Sequence, residues 1–476
     1  MSRMEKEKTP RRSTRTARRK PLPVLLAALL AVAVCLVLLA AYTARRLDNP
    51  NLSPRTAAEE AMAVSVWRQT RQPGPDDVPG LHAWQWPEPT EALASSGNEI
   101  AANLHAVSAL LVDAQTGAVL LEKNADAPIP PASMTKLVAM YTAFRAIETG
   151  EISFDDLVDL PPQSWAKNIP AGSSLMFLGE GQIVTVRELL LGMAIVSGND
   201  AAIALAYHTA GSVEAFIDRM NTEMERLGLT KTRFVEPSGL SEFNTTTARE
   251  FAAFSREYIF RYPDALKAFN SRTRFEYPMP WNLPQGRRES PVIQASTNRL
   301  LTTLDGCDGL KTGFIYESGY NLALTAQRAS DRFISVTMGG PGNGSYEGNL
   351  LRNSDGTSLM EWAFTNFTTI RCSQAQRQAV TVWAGTEDSV YAIPAEPAFF
   401  TAPRAIAAGT EPVSRILLNK AVRAPVFAGE RLGTVEYLID GTVCHTVPLI
   451  ADRNSAASGL PRRLVDRVAE AFSELF

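Results

Sequence analysis

From Leu22 to Tyr42 the apolar positions run without a charged residue for about twenty positions, enough at about 1.5 Å rise per residue to cross a hydrocarbon core as a helix. A cleavable signal peptide has a shorter apolar region and a small-x-small site. The spacing around Ala41 to Ala44 matches that only imperfectly, so an uncleaved transmembrane anchor over residues 22–42 is expected. Residues 43–97 mix Pro, Gly, Glu and Gln with Trp67, Trp84 and Trp86 and show no sustained period. They read as a stalk that lifts the folded part off the membrane, or as a segment whose Trp side chains dock on that part.

Beyond residue 98 the periods sharpen. Ala106 to Val112 and Ala118 to Glu122 are β-rich runs flanking Asp113 to Gly117, a hairpin. Ser133 to Thr149 is helical and stops at Gly150. Thr185-Val186-Arg187-Glu188 is a capping box ahead of the apolar run Leu189 to Val196, and a second helix, Asp200 to Ala210, follows the tight turn Ser197-Gly198-Asn199. Tyr320 to Gln327 and Arg332 to Gly339 form another hairpin. Strands at both ends of a helical middle give an α+β domain over residues 98–372. Residues 373–455 are β-rich, with runs at Val380 to Trp383, Ser389 to Ile393, Thr434 to Ile439 and Thr446 to Ile450, and read as a small all-β domain. Within residues 456–476, Leu464, Val465, Val468, Phe472, Leu475 and Phe476 fall at helical spacing, an amphipathic helix that covers a core or lies on a membrane.

Composition is that of a globular protein, 45% hydrophobic and 20% charged over 476 residues. Charge changes the picture more. Residues 1 to 20 carry nine Lys/Arg against two Asp/Glu, so a net charge of -3 hides a basic tail of +7 on a body of -10. A basic tail over residues 1–21, before an apolar run, places the N-terminus in the cytoplasm and the body outside it. A nucleic-acid binder would carry its basic patch on the folded part, so nucleic acid is excluded as a partner. Beyond Cys35 in the anchor stand Cys307, Cys372 and Cys444, an odd number without framework spacing, so free thiols are expected. His82, His105, His208 and His445 lack ligand spacing and there is no C-x-x-C, so neither metal nor cofactor is expected.

Three short motifs stand in order: Ser133-Met134-Thr135-Lys136, Ser197-Gly198-Asn199 and Lys311-Thr312-Gly313. The chain also supplies rivals, Ser164-Trp165-Ala166-Lys167 and Ser96-Gly97-Asn98. Ser133 opens an apolar helix, where backbone N–H groups favour developing negative charge, and Lys136 shares its face. Ser164 lies among Pro161, Pro162 and Pro170, a loop without fixed i, i+3 geometry, and Ser96 lies at the stalk boundary. A serine hydroxyl needs a base to become a nucleophile, and a lysine serves only if its pKa falls from about 10.4 toward neutrality, as burial and a second cation both favour.

The ordered triple resembles the serine penicillin-recognising enzymes. Ala171 to Leu178, Ser197-Gly198-Asn199-Asp200-Ala201, Ser238-Gly239-Leu240, Asp308 to Gly313 and Ala424-Pro425-Val426 resemble low-molecular-weight D-alanyl-D-alanine carboxypeptidases. That resemblance implies a serine β-lactamase/transpeptidase-like domain with an antiparallel sheet and a helical subdomain, followed by the small all-β domain. It implies Ser133 as nucleophile, Lys136 as base, Ser197 and Asn199 as proton relay and amide holder, and Lys311, Thr312 and Gly313 as substrate-binding residues. The backbone N–H groups of Ser133 and Phe314 would form the oxyanion hole. Peptidoglycan stem peptides would be the substrate and β-lactams the inhibitors, with hydrolysis giving carboxypeptidase activity and a cross-link as substrate giving endopeptidase activity. A penicillin-sensing protein without turnover is a further alternative. Two departures stand out: Phe314 replaces a His common in relatives, and Pro341 replaces an Arg after Met338-Gly339-Gly340 that would pair with the substrate carboxylate, leaving Arg352 or Arg299 as substitutes.

Overall fold

The structure, a computed structural model, describes residues 22–48, 57–70, 78–87, 91–373, 377–407, 411–419 and 421–473. The basic tail and the last three residues lie outside these. At the N-terminal end stand α1 (Leu22–Asp48), α2 (Ala57–Thr70), β1 (His82–Ala83) and α3 (Glu91–Asn103). Leu26–Arg45 of α1 is long and apolar enough to cross a membrane, and only 6% of it is buried.

The segment expected to be a stalk instead packs on the body. Ala63 of α2 is buried against Ile393 and Ile450. β1 pairs in parallel with β3 (Ala118–Lys123), His82 facing Ala118. The Trp84 indole donates to Thr401 O at 3.0 Å and meets Phe367 edge-on at 5.0 Å, while Trp86 lies 6.3 Å from Phe400. β1 is too short to leave a period in the sequence, and α2, rich in Ala with few large apolar residues, shows no clear apolar stripe. The isolated aromatic rings carry the docking, the second of the two expectations.

β2 (Ser108–Asp113) and β3 form the first hairpin. The helical subdomain follows: α4 (Thr135–Glu148), the short pair β4 (Leu157–Val158) and β5 (Val184–Thr185), then α5 (Val186–Ile195), α6 (Asn199–Ala210), α7 (Val213–Arg226), α8 (Ala248–Arg261) and α9 (Pro263–Ala265). Thr185 and Glu188 make the expected reciprocal cap, each accepting the other's backbone N–H. A ribbon of β6 (Arg274–Tyr277) and β7 (Val292–Ala295) and the short α10 (Leu300–Thr303) lead to β8 (Cys307–Ile315), β9 (Gly319–Arg328) and β10 (Asp331–Gly340). The six-stranded sheet runs β1-β3-β2-β10-β9-β8, so the last strand before the turn to β9 forms an edge.

Both faces of this sheet are covered. Leu110, Val112, Ala323 and Ile334 share one core with Phe251, Phe254 and Tyr258 of α8, the helix that lies on this face, and the core continues to α4, where the Tyr141 ring meets Phe254 edge-on at 5.5 Å. Ala109, Leu111, Leu322 and Leu324 pack against Leu359, Met360 and Trp362 of α11 (Ser345–Asn366). Burial on two sides is why β2 reads as an unbroken apolar run rather than an alternating one. α4 is buried from Thr135 to Phe144, which makes it the central helix of the domain.

The second domain starts with β11 (Phe367–Arg371), which pairs with β14 (Phe399–Pro403). Around it stand β12 (Gln378–Trp383), β13 (Ser389–Pro394), α12 (Arg404–Ala407), β15 (Val413–Leu418), β16 (Ala421–Arg423), β17 (Arg431–Ile439) and β18 (Thr442–Ala451). A six-stranded sheet runs β15-β17-β18-β13-β12-β16 over a core of Val380, Val390, Val435 and Val447. α13 (Leu460–Ser473) closes the chain with its polar face inward: Asp466 accepts from Ala384 N at 2.8 Å and from the Tyr42 hydroxyl of α1 at 2.7 Å. Leu460, Leu464, Val465 and Val468 face outward. The four cysteines are free.

Candidate active site

Ser133 lies in the single 3-10 turn Ala132–Met134 that leads into α4. The turn is held under strain, since Ala132 sits at φ +50°, a conformation uncommon for a residue with a Cβ. Two glycines from distant segments permit it. A Cβ on Gly239 would stand 1.9 Å from Ala132 O, and one on Gly313 would stand 2.5 Å from Pro131 O and 3.2 Å from Ser133 N. Gly313, expected to bind substrate, is required first of all by the Ser133 turn itself.

Lys136 is buried in α4, one turn on. Its Nζ donates to Ser133 Oγ at 3.1 Å, to Asn199 Oδ1 at 2.6 Å and to Ser238 O. Burial drives its pKa from 10.5 down to about 7, against the opposing pull of Glu236 and Asp200. A neutral amine there keeps two protons for Asn199 and Ser238 and offers its lone pair to Ser133.

Ser197 ends the α5–α6 turn at φ +62°. Its Oγ accepts from Lys311 Nζ at 3.0 Å, and Lys311 also donates to Thr312 O at 3.0 Å. Lys311, buried in β8, is itself pushed well down by burial, then by the Lys136 and Arg352 charges. The second-cation effect expected of Lys311 on Lys136 thus falls on Lys311, and burial alone lowers Lys136. Asp200 pins the neighbouring loop to the start of α6, accepting from the backbone N–H of Met176, Phe177 and Leu178 at 2.8, 2.8 and 3.0 Å. Phe314 follows Gly313 on β8, its ring half-exposed and stacked on Tyr320 at 4.3 Å.

The rival motifs do not converge on anything. Ser164 donates to Pro161 O at 2.8 Å in one 3-10 turn while Lys167, in the next, lies over the Trp165 ring. Ser96 sits inside α3, donating to Leu93 O at 3.1 Å. Arg352 is buried under the sheet edge: its Nη1 donates to Gly313 O at 3.2 Å and Asn321 O at 3.3 Å and its Nη2 to Asn349 Oδ1, while its Nε is buried without a partner. Arg299 is exposed at the start of α10.

Sequence reasoning missed the backbone side of the site. The Ser238 carbonyl is a third acceptor for Lys136, and Glu236 knots that loop by accepting from the backbone N–H groups of Ser238 and Gly239, the Ser238 hydroxyl at 2.5 Å and Asn244 Nδ2 at 2.8 Å. Asn321 donates to Pro130 O at 2.9 Å and accepts from Gly339 N at 2.9 Å, tying the chain just before the Ser133 turn to the sheet. Among the described residues no group of three His, Cys, Asp or Glu is placed to hold a metal.

The sequence pattern of a family described as D-alanyl-D-alanine carboxypeptidase matches residues 95–342, more than half of the chain, and spans all three motifs. The chain belongs to this family. A second pattern, the penicillin-binding protein 5 C-terminal domain, matches residues 366–456 of this carboxypeptidase-family chain. The D-alanyl-D-alanine carboxypeptidase DacC of Escherichia coli is 32% identical over 391 residues, 81% of this chain and 93% of that protein. Among solved structures, penicillin-binding protein 5 from Haemophilus influenzae superposes with a TM-score of 0.64 at 30% identity, covering 74% of this chain and 98% of its own. Penicillin-binding protein 6B from Escherichia coli gives 0.59 at 28%, covering 78% and 99%. The expected fold, a transpeptidase-like domain followed by an all-β domain, is the fold of these neighbours, and the family is one of serine peptidases.

Proposed function

We propose that this chain removes the terminal D-alanine of peptidoglycan stem pentapeptides through an acyl-enzyme on Ser133. The observation that carries the reading is a buried lysine, brought to about pH 7, with its amine 3.1 Å from the Ser133 hydroxyl. Lys136 takes the Ser133 proton as Oγ attacks the carbonyl carbon of the penultimate D-alanine. The oxyanion is held by the backbone N–H groups of Ser133 and Phe314, an arrangement in which one donor is worth about 10²–10³ in rate. The C–N bond breaks as the proton taken up by Lys136 is relayed through Ser197, held by Lys311, to the departing D-alanine nitrogen: Ser197 gives its own proton and takes the one from Lys136, which is left neutral again. Asn199 orients both Lys136 and the amide. Water, deprotonated by the same base, then hydrolyses the ester and restores Ser133. A β-lactam acylates Ser133 by the first half of this sequence.

Topology belongs to the same proposal. α1 crosses the bacterial cell membrane with the basic tail in the cytoplasm, and everything after it lies outside. Supporting this, α1 is almost uncovered by the rest of the chain, and α13 presents its apolar face beside the end of α1 that carries Tyr42.

The test is release of D-alanine from a pentapeptide ending in D-Ala-D-Ala by the full chain in detergent, beside labelling with a fluorescent penicillin. Release with the label on Ser133 supports the proposal. Labelling without release favours endopeptidase action on a cross-link, or a sensor. A D-alanyl-D-alanine endopeptidase of Pseudomonas aeruginosa matches only 37% of this chain, which favours the carboxypeptidase.

A further inference from the structure

A peptide ending in D-Ala-D-Ala carries a free carboxylate one residue beyond the bond to be cut, and the site must hold it. The arginines that sequence reasoning offered are not free to do so. Position 341 is proline, Arg352 is committed to carbonyl oxygens beneath β8, and Arg299 is turned to solvent. Beside the third motif stands a pair of hydroxyls. Thr312 Oγ1 donates to Thr297 Oγ1 at 2.8 Å, so the Thr312 proton, expected to serve the substrate, is already engaged. A threonine hydroxyl has one proton and two lone pairs. Thr297 accepts with one lone pair, and its own proton is the one the pair has left to give.

The backbone of Thr297 is fixed from both sides. Its N–H donates to Ile195 O at 3.0 Å, two residues before Ser197. The next residue, Asn298, is buried and donates to Gly309 O at 3.4 Å, two residues before Lys311. Thr297 is therefore stretched between the two motifs that flank the departing D-alanine. Thr312 is buried, while Thr297 is only half-buried.

We propose that Thr297 is a substrate-binding residue whose hydroxyl donates to the terminal carboxylate of the substrate, with Thr312 holding its rotor. The hydroxyl pair takes the role an arginine would otherwise fill. It selects a free carboxylate over a neutral terminus. This rests on the carboxypeptidase reading and names the group within that site that reads the substrate's end.

The experiment compares the full chain with Thr297→Val, which keeps shape and loses the hydroxyl, and Thr297→Ser, which keeps the hydroxyl. Substrates are a diacylated L-Lys-D-Ala-D-Ala and its C-terminal carboxamide. A hydrogen bond to a charged group is worth roughly 10–100-fold, so Thr297→Val is expected to lose about that factor in kcat/KM on the free acid, chiefly through KM, and less than about threefold on the carboxamide. Thr297→Ser should stay within about threefold of the parent on both. Equal losses on acid and amide would mean a structural role and overturn the proposal, as would an unchanged KM on the acid. Failure of the parent enzyme to release D-alanine at all would overturn the carboxypeptidase reading instead, so the two failures are distinct.

Discussion

The cleft and the domain junction both bury charge, and they treat it in opposite ways. At the junction, Asp113 accepts from the hydroxyls of Thr369 and Thr401 at 2.7 and 2.8 Å and from Gln115 N at 2.8 Å. Asp331 accepts from the Thr368 hydroxyl at 2.9 Å, Thr369 N at 2.8 Å and Arg404 Nη2 at 2.6 Å. These two carboxylates, from β2 and the start of β10, fasten β11, β14 and α12 to the catalytic sheet. Burial raises Asp113 while its four hydrogen bonds pull it back. In the cleft, Lys136 and Lys311 are as deeply buried, yet each bonds to neutral oxygens and neither meets a carboxylate at bonding distance among the described residues. A buried charge saturated with donors gives strength, whereas a buried charge denied a counter-ion gives up its proton readily, which is reactivity.

The sharpest break of this contrast is at Ser133. Ser133→Ala should abolish penicillin labelling, a loss of at least about 10⁴-fold, with the melting temperature unchanged, because the side chain's one hydrogen bond comes from Lys136. Next is Lys136→Arg, which keeps a cation that cannot be deprotonated; labelling should fall by about 10³-fold or more. The pH profile sharpens the same point. With the base at about 7, parent acylation should rise roughly tenfold per unit below that pH and level above it, a limb absent from Lys136→Arg. Linkage has the matching sign: between about 7 and the unfolded value near 10.4 the unfolded chain holds a proton the folded chain lacks, so stability rises with pH across that window.

On the junction side the effects move to stability. Asp331→Ala strands Arg404 and two Thr donors, and should cost about 2–3 kcal/mol in denaturant unfolding while the labelling rate of the folded protein stays within about twofold. Thr369→Val removes one hydroxyl from Asp113 and should cost about 1 kcal/mol by the same measurement. A large labelling loss in either variant would dissolve the distinction between the two regions.

Much of this was legible in the sequence because local physics wrote it there. The Thr185/Glu188 cap, the Gly150 stop and the order of the three motifs need only near neighbours or residue identity. The choice of Ser133 over Ser164 came from the prolines around the latter, which the structure resolves into two short 3-10 turns. What stayed hidden was long-range or made of backbone. A carbonyl such as Ser238 O has no residue signature, and neither does the contact of Gly239 with Ala132, more than one hundred positions away. Thr297 belongs to no motif and matters only because β8 lies beside it. The docking of residues 57–70 and 78–87 was only one of two readings because it rests on a few single side chains, Ala63, Trp84 and Trp86, spread through a polar text.

The glycine cradle has an evolutionary consequence. Residues 239 and 313 press on the nucleophile turn from two sides, and any side chain there collides with main chain rather than with a movable neighbour. On the proposed acylation of Ser133 by β-lactams, neither position can change to shut out a drug, because the change that would exclude the inhibitor also dislodges the serine. The outer rim differs, because Phe314 and Tyr316 there are exposed to solvent. The innermost shape of the pocket is thereby frozen, and an inhibitor that keeps its grip inside that shape meets a target with few single-step ways out.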